Sequence, residues 1–402
     1  MKILLIIIDG LGDEPIPALG GKTPLEAAFS PNLDFLAENG ICGQVLPFLY
    51  QTALPTSEDT HFAIFGYNIA KYYFRRGLLT VSGADMKIKK NDVALRGNFA
   101  TVDEKLNIID RRAGRIKNPE VLIKALAGIK IENVKFLLKS ANEHRLGIIM
   151  RGKNLSPRIS DGDPHYSKLG KKACRIRPLD RTPETVFTAK VLNEFLKKAH
   201  EILKKHPKNK KREKKGLPPA NYILVRGASS VKKLPPFKKK YGLEACCIAG
   251  KFLYQQIGKI LGMDLIKVRG ANGLVTTNLR GKFAATKKAL KKYDFVFLHI
   301  KATDSLAEDG NFLAKKEFIE KIDKNIKTLM ALKNVLIVIT CDHSTCSLLK
   351  RHCKRPCPIL VYGIGKDGTR EFSERACKKG KLGQIKQIKL MERILGISAM
   401  AN

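Results

Sequence analysis

Three strongly apolar stretches in this chain lead to carboxylates or imidazoles. Ile3 to Ile8 is a β-branched and leucine run that ends at Asp9-Gly10. Phe295 to Ile300 leads to Thr303-Asp304, and Val335 to Thr340 leads to Asp342-His343. Such stretches, apolar at nearly every position rather than at alternate ones, predict parallel strands buried on both faces. Three of them describe an open α/β sheet, in which ligands sit beyond the carboxyl ends of the strands. Helical patterns lie between them, from Ala249 to Leu261 and from Phe312 to Leu332. The middle of the chain alternates short strand signals with basic helices, and it carries a lysine-rich stretch, Lys204 to Lys215, that reads as a solvated, flexible loop. Pro235-Pro236 marks a return into the sheet. The expected organisation is a discontinuous sheet domain, 1–78 with 236–402, interrupted by a smaller inserted domain, 79–235. No internal repeat is visible.

Composition narrows the class. Across 402 residues, 44% are apolar and 28% charged, which suits two or three globular domains and excludes wholesale disorder. With 75 Lys and Arg against 37 Asp and Glu, the net charge is +38. That favours anionic partners and says nothing about fold. No nucleic-acid-binding module pattern accompanies it, which leaves a general lysine bias or a small phosphorylated substrate as its readings. The nine cysteines show no zinc-finger spacing, and Cys246-Cys247 are adjacent. An odd count without secretory context predicts reduced thiols and a cytoplasmic protein. The apolar start has only six residues before Asp9, too few for a signal peptide, and no stretch approaches the ~18 apolar residues of a membrane span.

The polar groups at the strand ends form the candidate chemistry. They are Asp9, Asp304, Glu308, Asp342, His343 and, a little later, His352. Asp304 and Glu308 are four apart, so one helical turn places both on a single face. Carboxylates with imidazoles suit a borderline divalent ion such as Mn²⁺ or Zn²⁺, and six candidates exceed what one tetrahedral site needs. Two metals are therefore expected. Ser57 follows Pro55-Thr56 at the start of an apolar helix, where free backbone amides favour an anion or a developing alkoxide. Glu58, Asp59 and His61 lie close enough in sequence to belong to the same site.

These residues, with others in order along nearly the whole chain, resemble the archaeal-type 2,3-bisphosphoglycerate-independent phosphoglycerate mutases of the alkaline phosphatase superfamily. The motifs include Gly21-Lys22-Thr23-Pro24-Leu25-Glu26-Ala27-Ala28, Arg96-Gly97-Asn98-Phe99-Ala100-Thr101, Asp110-Arg111-Arg112-Ala113-Gly114-Arg115, His299-Ile300-Lys301, and Asp342-His343-Ser344-Thr345. The resemblance implies an alkaline-phosphatase-like core, an open, mostly parallel sheet with helices on both faces, and an inserted α+β domain that acts as substrate grip and lid. It implies interconversion of 3-phosphoglycerate and 2-phosphoglycerate, in glycolysis and gluconeogenesis, through a phosphoserine at Ser57. Asp9, Ser57, Asp342 and His343 match the ligands of one divalent ion. Asp304, the position of Glu308, and His352 match those of the other. Mn²⁺ is the foremost candidate, with Mg²⁺, Co²⁺ or Zn²⁺ as alternatives. Within the insert, Arg112, His144, Arg145, Asp161, His165 and Arg226 are the implied substrate-binding residues.

The chain departs from the family pattern at several points. Glu308 stands where the family has His, which favours harder ions than Zn²⁺. Thr56 replaces a Gly before the serine, Arg75-Arg76-Gly77-Leu78 replaces Gly-Arg-Gly-Pro, Gln255 falls where a Lys is expected with Lys251 one turn away, and Arg355-Pro356-Cys357-Pro358 replaces Asp-Pro-Val-Pro. A related metal-dependent phosphatase or phosphotransferase, and a catalytically degenerate polyanion-binding protein, are the alternatives these departures leave open.

Overall fold

The structure is a computed structural model, described here for residues 1–48, 54–68, 75–164, 172–230 and 234–400. The chain divides into two compact units, Met1–Ile69 with Leu234–Asn402, and Ala70–Lys233.

The first unit is built on an eight-stranded sheet. Its order is Asp264–Leu265, Ala245–Ala249, Phe295–Ile300, Lys2–Ile8, Val335–Thr340, Cys357–Tyr362, Gly40–Leu46, Gly383–Lys386. Every neighbouring pair is parallel except those made by Cys357–Tyr362, which runs against both of its partners. The three apolar runs occupy adjacent central positions. All six residues of Phe295–Ile300 and of Val335–Thr340 are buried, so both faces of the sheet are covered. Each such Ile, Leu, Val or Phe contributes on the order of 1.5–3 kcal/mol by leaving water. The register sets Ile8 beside Ile300 and Ile7 beside Thr340, so the three strands end together. Gly10 makes that convergence possible. Its φ is +64°, and a Cβ there would lie 2.6 Å from Thr345 Oγ1 and 2.7 Å from Asp304 Cβ.

The second unit is an antiparallel sheet in which Val93–Val102 pairs with Arg145–Arg151, Tyr222–Ser230 and Ile108–Asp110, while Val134–Asn142 extends it beyond Arg145–Arg151. The 23-residue helix Pro183–Lys205 turns Ala189, Leu192, Phe195, Leu196, Ala199 and Leu203 inward at i, i+3 and i+4 spacing. Phe195 stacks on Phe136, with ring centroids 4.0 Å apart. The helix Arg76–Gly83 belongs to this unit, so the boundary falls ahead of it and not at residue 78. Gly77 permits its close approach, because a Cβ there would meet Ala94 O at 2.3 Å and Gly227 O at 2.5 Å.

Two expectations are corrected. Lys204 to Lys215 is not a loop: the long helix runs to Lys205, and a second helix, Pro207–Lys214, follows at once. Pro207 sits at its first position, where the missing N–H costs nothing, and His206 Nδ1 accepts from the Lys208 amide. Buried Asn209 ties it down through Leu203 O, Ala220 O and the Ala220 amide. The thiols are not all reduced either. Cys346 and Cys353 form a disulfide, because the hairpin Ser344–Cys346/Arg351–Cys353 makes them diagonal neighbours with Cα atoms 6.0 Å apart. Among the described residues, no helix is long and apolar enough to cross a membrane.

Candidate metal centre

All the ligand candidates of the first unit gather at the carboxyl ends of its central strands. Asp9 follows Lys2–Ile8, and Asp342-His343 follow Val335–Thr340. Asp304 lies in the first turn of the helix Ala302–Glu308, and His352 is the middle residue of the hairpin's return strand. Asp9, Asp342 and His343 bring one donor atom each within 4.8 Å of one another, all buried. Asp304, His343 and His352 do the same. His343 is common to both groups, whereas the sequence reading assigned it to one.

Buried carboxylates crowded in this way resist ionising together. Burial and the neighbouring Asp9 push the Asp342 carboxyl well above its ordinary value. For Asp9 and Asp304 burial acts in the same sense, but the Lys301 ammonium and nearby imidazoles outweigh it and hold both carboxyls low. The imidazole of His343 is pushed down to about 3 by burial and by His352, so it is neutral and able to ligate. Buried carboxylates in excess of their cations, with neutral imidazole nitrogens aimed among them, are a donor set that fits divalent ions.

Ser57 begins the helix Ser57–Ile64, and its hydroxyl lies 3.3 Å from His343 Nε2. The cap is Thr56, whose Oγ1 accepts from the Asp59 amide at 3.3 Å. A threonine at this position is a good N-cap, so the loss of the family's glycine leaves the helix start intact. Glu58 and His61 are buried in the same helix. His61 donates Nδ1–H to the Ser57 carbonyl at 2.7 Å, and burial lowers its pKa to about 4.

Glu308 occupies the rim. It shares the helix with Asp304 as its spacing predicts, but its side chain is half exposed, with Oε1 3.7 Å from His352 Nε2. Burial and the Asp304 charge raise its pKa. Gln255 is engaged elsewhere, donating Nε2–H to the Ala249 carbonyl. Lys251, at the N-cap of the helix Phe252–Ile260, has its pKa lowered, first by desolvation and then by Lys301, and it feels the charges of Asp9, Asp304 and Glu308.

In the second unit, Arg112, His144 and Arg145 are neighbours. Burial and then the charges of Arg145, Arg112, Arg96 and Arg115 push His144 down to about 4. Asp161 accepts from the Gly227 amide at 2.8 Å, one residue beyond Arg226. His165 lies outside the described residues.

Several residues escaped the sequence reading. Tyr254 and His299 both donate to Asp9 Oδ2, the latter at 3.0 Å, and their rings stack with centroids 3.4 Å apart. Thr345 donates to Asp304 Oδ1 at 2.6 Å. Asp163 is fully buried and takes a forked bond from Arg111, with Arg226 Nε 3.8 Å away. His299 and Lys301 stood inside a quoted motif, but an apolar strand flanking a histidine gives no sign of which face it presents.

Comparison with known proteins agrees with this geometry. The family model described as the metalloenzyme superfamily matches residues 1–396. The 2,3-bisphosphoglycerate-independent phosphoglycerate mutase 1 of Methanocaldococcus jannaschii is 43% identical, over 99% of this chain and 97% of its own. Its Archaeoglobus fulgidus counterpart is 42% identical, over 100% and 99%. The chain belongs to the archaeal-type 2,3-bisphosphoglycerate-independent phosphoglycerate mutases. Among solved structures, the cofactor-independent phosphoglycerate mutase of Thermoplasma acidophilum superposes with a TM-score of 0.73 at 34% identity, covering 100% of both chains. A Pyrococcus horikoshii protein superposes at 0.80 with 33% identity, covering 100% of this chain and 98% of its own. As a phosphoglycerate mutase of the metalloenzyme superfamily, this chain is an isomerase that binds divalent metal and acts on a small phosphorylated substrate.

Proposed function

We propose that the enzyme interconverts 3-phosphoglycerate and 2-phosphoglycerate in the cytoplasm by passing the phosphoryl group through Ser57. The observation that carries this reading is the Ser57 hydroxyl at a helix N-terminus, 3.3 Å from His343 Nε2, beside two candidate ligand groups. Asp9, Asp342, His343 and Ser57 would hold one ion, and Asp304, His352 and Glu308 the other, with Mn²⁺ preferred. When bound, these ions supply the positive charge that favours an ionised serine hydroxyl and offsets charge on the transferring group.

Ser57 attacks phosphorus, a Ser57 O–P bond forms, and the bond to the substrate oxygen breaks. The substrate oxygen takes up a proton as glycerate is released from phosphorus. The neighbouring hydroxyl of glycerate then attacks the phosphoserine and gives up its proton, the Ser57 O–P bond breaks, and the Ser57 oxygen regains the proton it lost in the first step. The helix amides at Ser57 stabilise the phosphoryl charge in both steps. Arg112, Arg145, Arg226 and His144 are proposed to hold the carboxylate and phosphate of the substrate, with Asp161 and His165 positioning its hydroxyls. Arginine suits this task because its fork grips oxyanions bidentately. Exclusion of water from the phosphoserine separates a mutase from a phosphatase.

A coupled assay with 3-phosphoglycerate, run beside a free-phosphate assay, tests the proposal. Formation of 2-phosphoglycerate, lost on chelation and restored by Mn²⁺, is the expected result. Phosphate release without 2-phosphoglycerate would make it a phosphatase.

A further inference from the structure

Lys301 is the feature of the site for which the reaction has no use so far. It follows the strand Phe295–Ile300 and caps the helix that carries Asp304. Its Nζ lies 3.2 Å from Asp9 Oδ1 and pairs with Asp304 Oδ2, while its side chain is 9% exposed. Asp9 and Asp304 belong to different ligand groups, so one ammonium spans both. Among the described residues, it is the lysine or arginine found within ion-pair distance of these carboxylates. The other donors to Asp9, Tyr254 and His299, are neutral and both address Oδ2. Lys315, also fully buried nearby, is committed to Asp13 and to the carbonyls of Gly12 and Thr345.

An ordinary structural ion pair satisfies oxygens that have no other duty. Lys301 instead shares Asp9 Oδ1 with the imidazole of His343, whose Nε2 is 3.7 Å from that oxygen, and it takes Asp304 Oδ2 while Oδ1 of the same carboxylate lies 3.4 Å from His352 Nε2. At Asp9 Oδ1, an ion coordinating at about 2.0–2.6 Å and the ammonium compete for the same oxygen. Lysine suits the exchange, being a point charge on a flexible four-carbon stem that can move off without rebuilding the backbone.

We propose that Lys301 is a built-in stand-in cation, a positioning residue that holds Asp9 and Asp304 in place in the metal-free enzyme and gives up Asp9 Oδ1 to the incoming ion. The inference rests on the reading of Asp9 and Asp304 as ligands. Its consequence is a trade: Lys301 stabilises the empty site and, by the same contacts, weakens metal affinity, since whatever binds one state of a site opposes the other.

The test measures Mn²⁺ binding by titration calorimetry and the thermal unfolding midpoint, each for the wild type, Lys301→Met and Lys301→Arg, with chelator and with saturating Mn²⁺. Lys301→Met keeps the stem and removes the charge. Its metal-free midpoint is expected to fall by several degrees. Its Mn²⁺ affinity is expected to rise about tenfold or more, because removing one partner of a buried pair leaves uncompensated charge for the ion to satisfy. Saturating Mn²⁺ should then close the gap in midpoint, and Lys301→Arg should keep the metal-free midpoint of the wild type. Unchanged or weaker Mn²⁺ binding by Lys301→Met overturns the inference while leaving the ligand reading standing. A wild type that takes up no Mn²⁺ overturns both. If Lys301→Met is unfolded without metal, refolding on Mn²⁺ addition supports the inference and failure to refold overturns it.

Discussion

His352 donates its Nδ1–H to the carbonyl oxygen of Pro55 at 2.8 Å. A carbonyl can only accept, so the bond fixes which ring nitrogen carries the proton and aims Nε2 at Asp304 Oδ1, 3.4 Å away, and at Glu308 Oε1, 3.7 Å away. Ligating histidines are commonly oriented through their second nitrogen in this manner. Pro55 lies two residues ahead of Ser57, so this bond ties the hairpin of one ligand group to the loop that delivers the serine.

Ser57→Ala is expected to abolish transfer while leaving the fold intact, since Thr56 and not Ser57 caps the helix. Mass spectrometry of enzyme quenched with substrate should find one phosphate, on Ser57, and none in the variant. Phosphate on Thr56, Thr60 or His61 would contradict the mechanism.

Glu308→His bears on the second ligand group. If the half-exposed carboxylate swings inward to ligate, the variant should stay active and shift its preference toward Zn²⁺ or Co²⁺, which imidazole suits better. Activation profiles across Mn²⁺, Mg²⁺, Co²⁺ and Zn²⁺ would show it. A metal-loaded structure with the Glu308 oxygens well beyond ~2.6 Å from any ion would remove Glu308 from the ligand set.

Asp163→Ala should strike the second unit hard. It strands Arg111, whose forked bond to Asp163 is buried, and it takes a charge from beside Arg226. Leaving a buried partner uncompensated costs about 3–5 kcal/mol. Hydrogen exchange along Val93–Val102 and Tyr222–Ser230 should quicken accordingly, while Phe295–Ile300 keeps its protection. Unchanged exchange in the second unit would contradict this.

Glu374 predicts a pH effect away from the metal centre. Its oxygens accept from Thr23 Oγ1 at 2.8 Å and from the Asp13 amide at 3.1 Å, with Lys315 near, yet burial pushes its carboxyl up to about 7. A folded-state pKa above the unfolded one means that the protonated form favours folding. The contribution is complete below the ordinary value of 4.5 and is lost as pH rises through about 7. The midpoint of thermal unfolding should therefore decline from about pH 5 to pH 8, and Glu374→Gln should flatten part of that decline. Equal slopes in the two proteins would count against the assignment.

Much of the first unit was legible because a parallel strand buried on both faces leaves a near-continuous apolar run, here too short for a helix and bounded by polar residues. The positions of Asp9, Asp304 and Asp342 follow from where those runs stop. What surrounds them was not legible. Tyr254 reaches Asp9 from a helix far along the chain, and only tertiary packing reveals that. The pairing of Asp163 with Arg111 was invisible for a simpler reason: Asp163 sits in an irregular loop, where no period says which way a side chain turns. Lys204 to Lys215 misled because its charge suggested solvent, while its real determinants are Pro207 at a first helical position and Asn209 turned inward.

The strand order has a consequence for the enzyme's manufacture. Lys2–Ile8 is synthesised well before either of its two neighbours, Phe295–Ile300 and Val335–Thr340. Until then it is six apolar residues with two open edges, the kind of segment that aggregates. The strands of Ala70–Lys233 pair within their own stretch of chain, so that unit can fold while the first strand still waits for partners. The metal site, whose candidate ligands span Asp9 to His352, can close only once the chain through His352 has been synthesised. A truncated product would therefore carry the inserted unit and no catalytic centre.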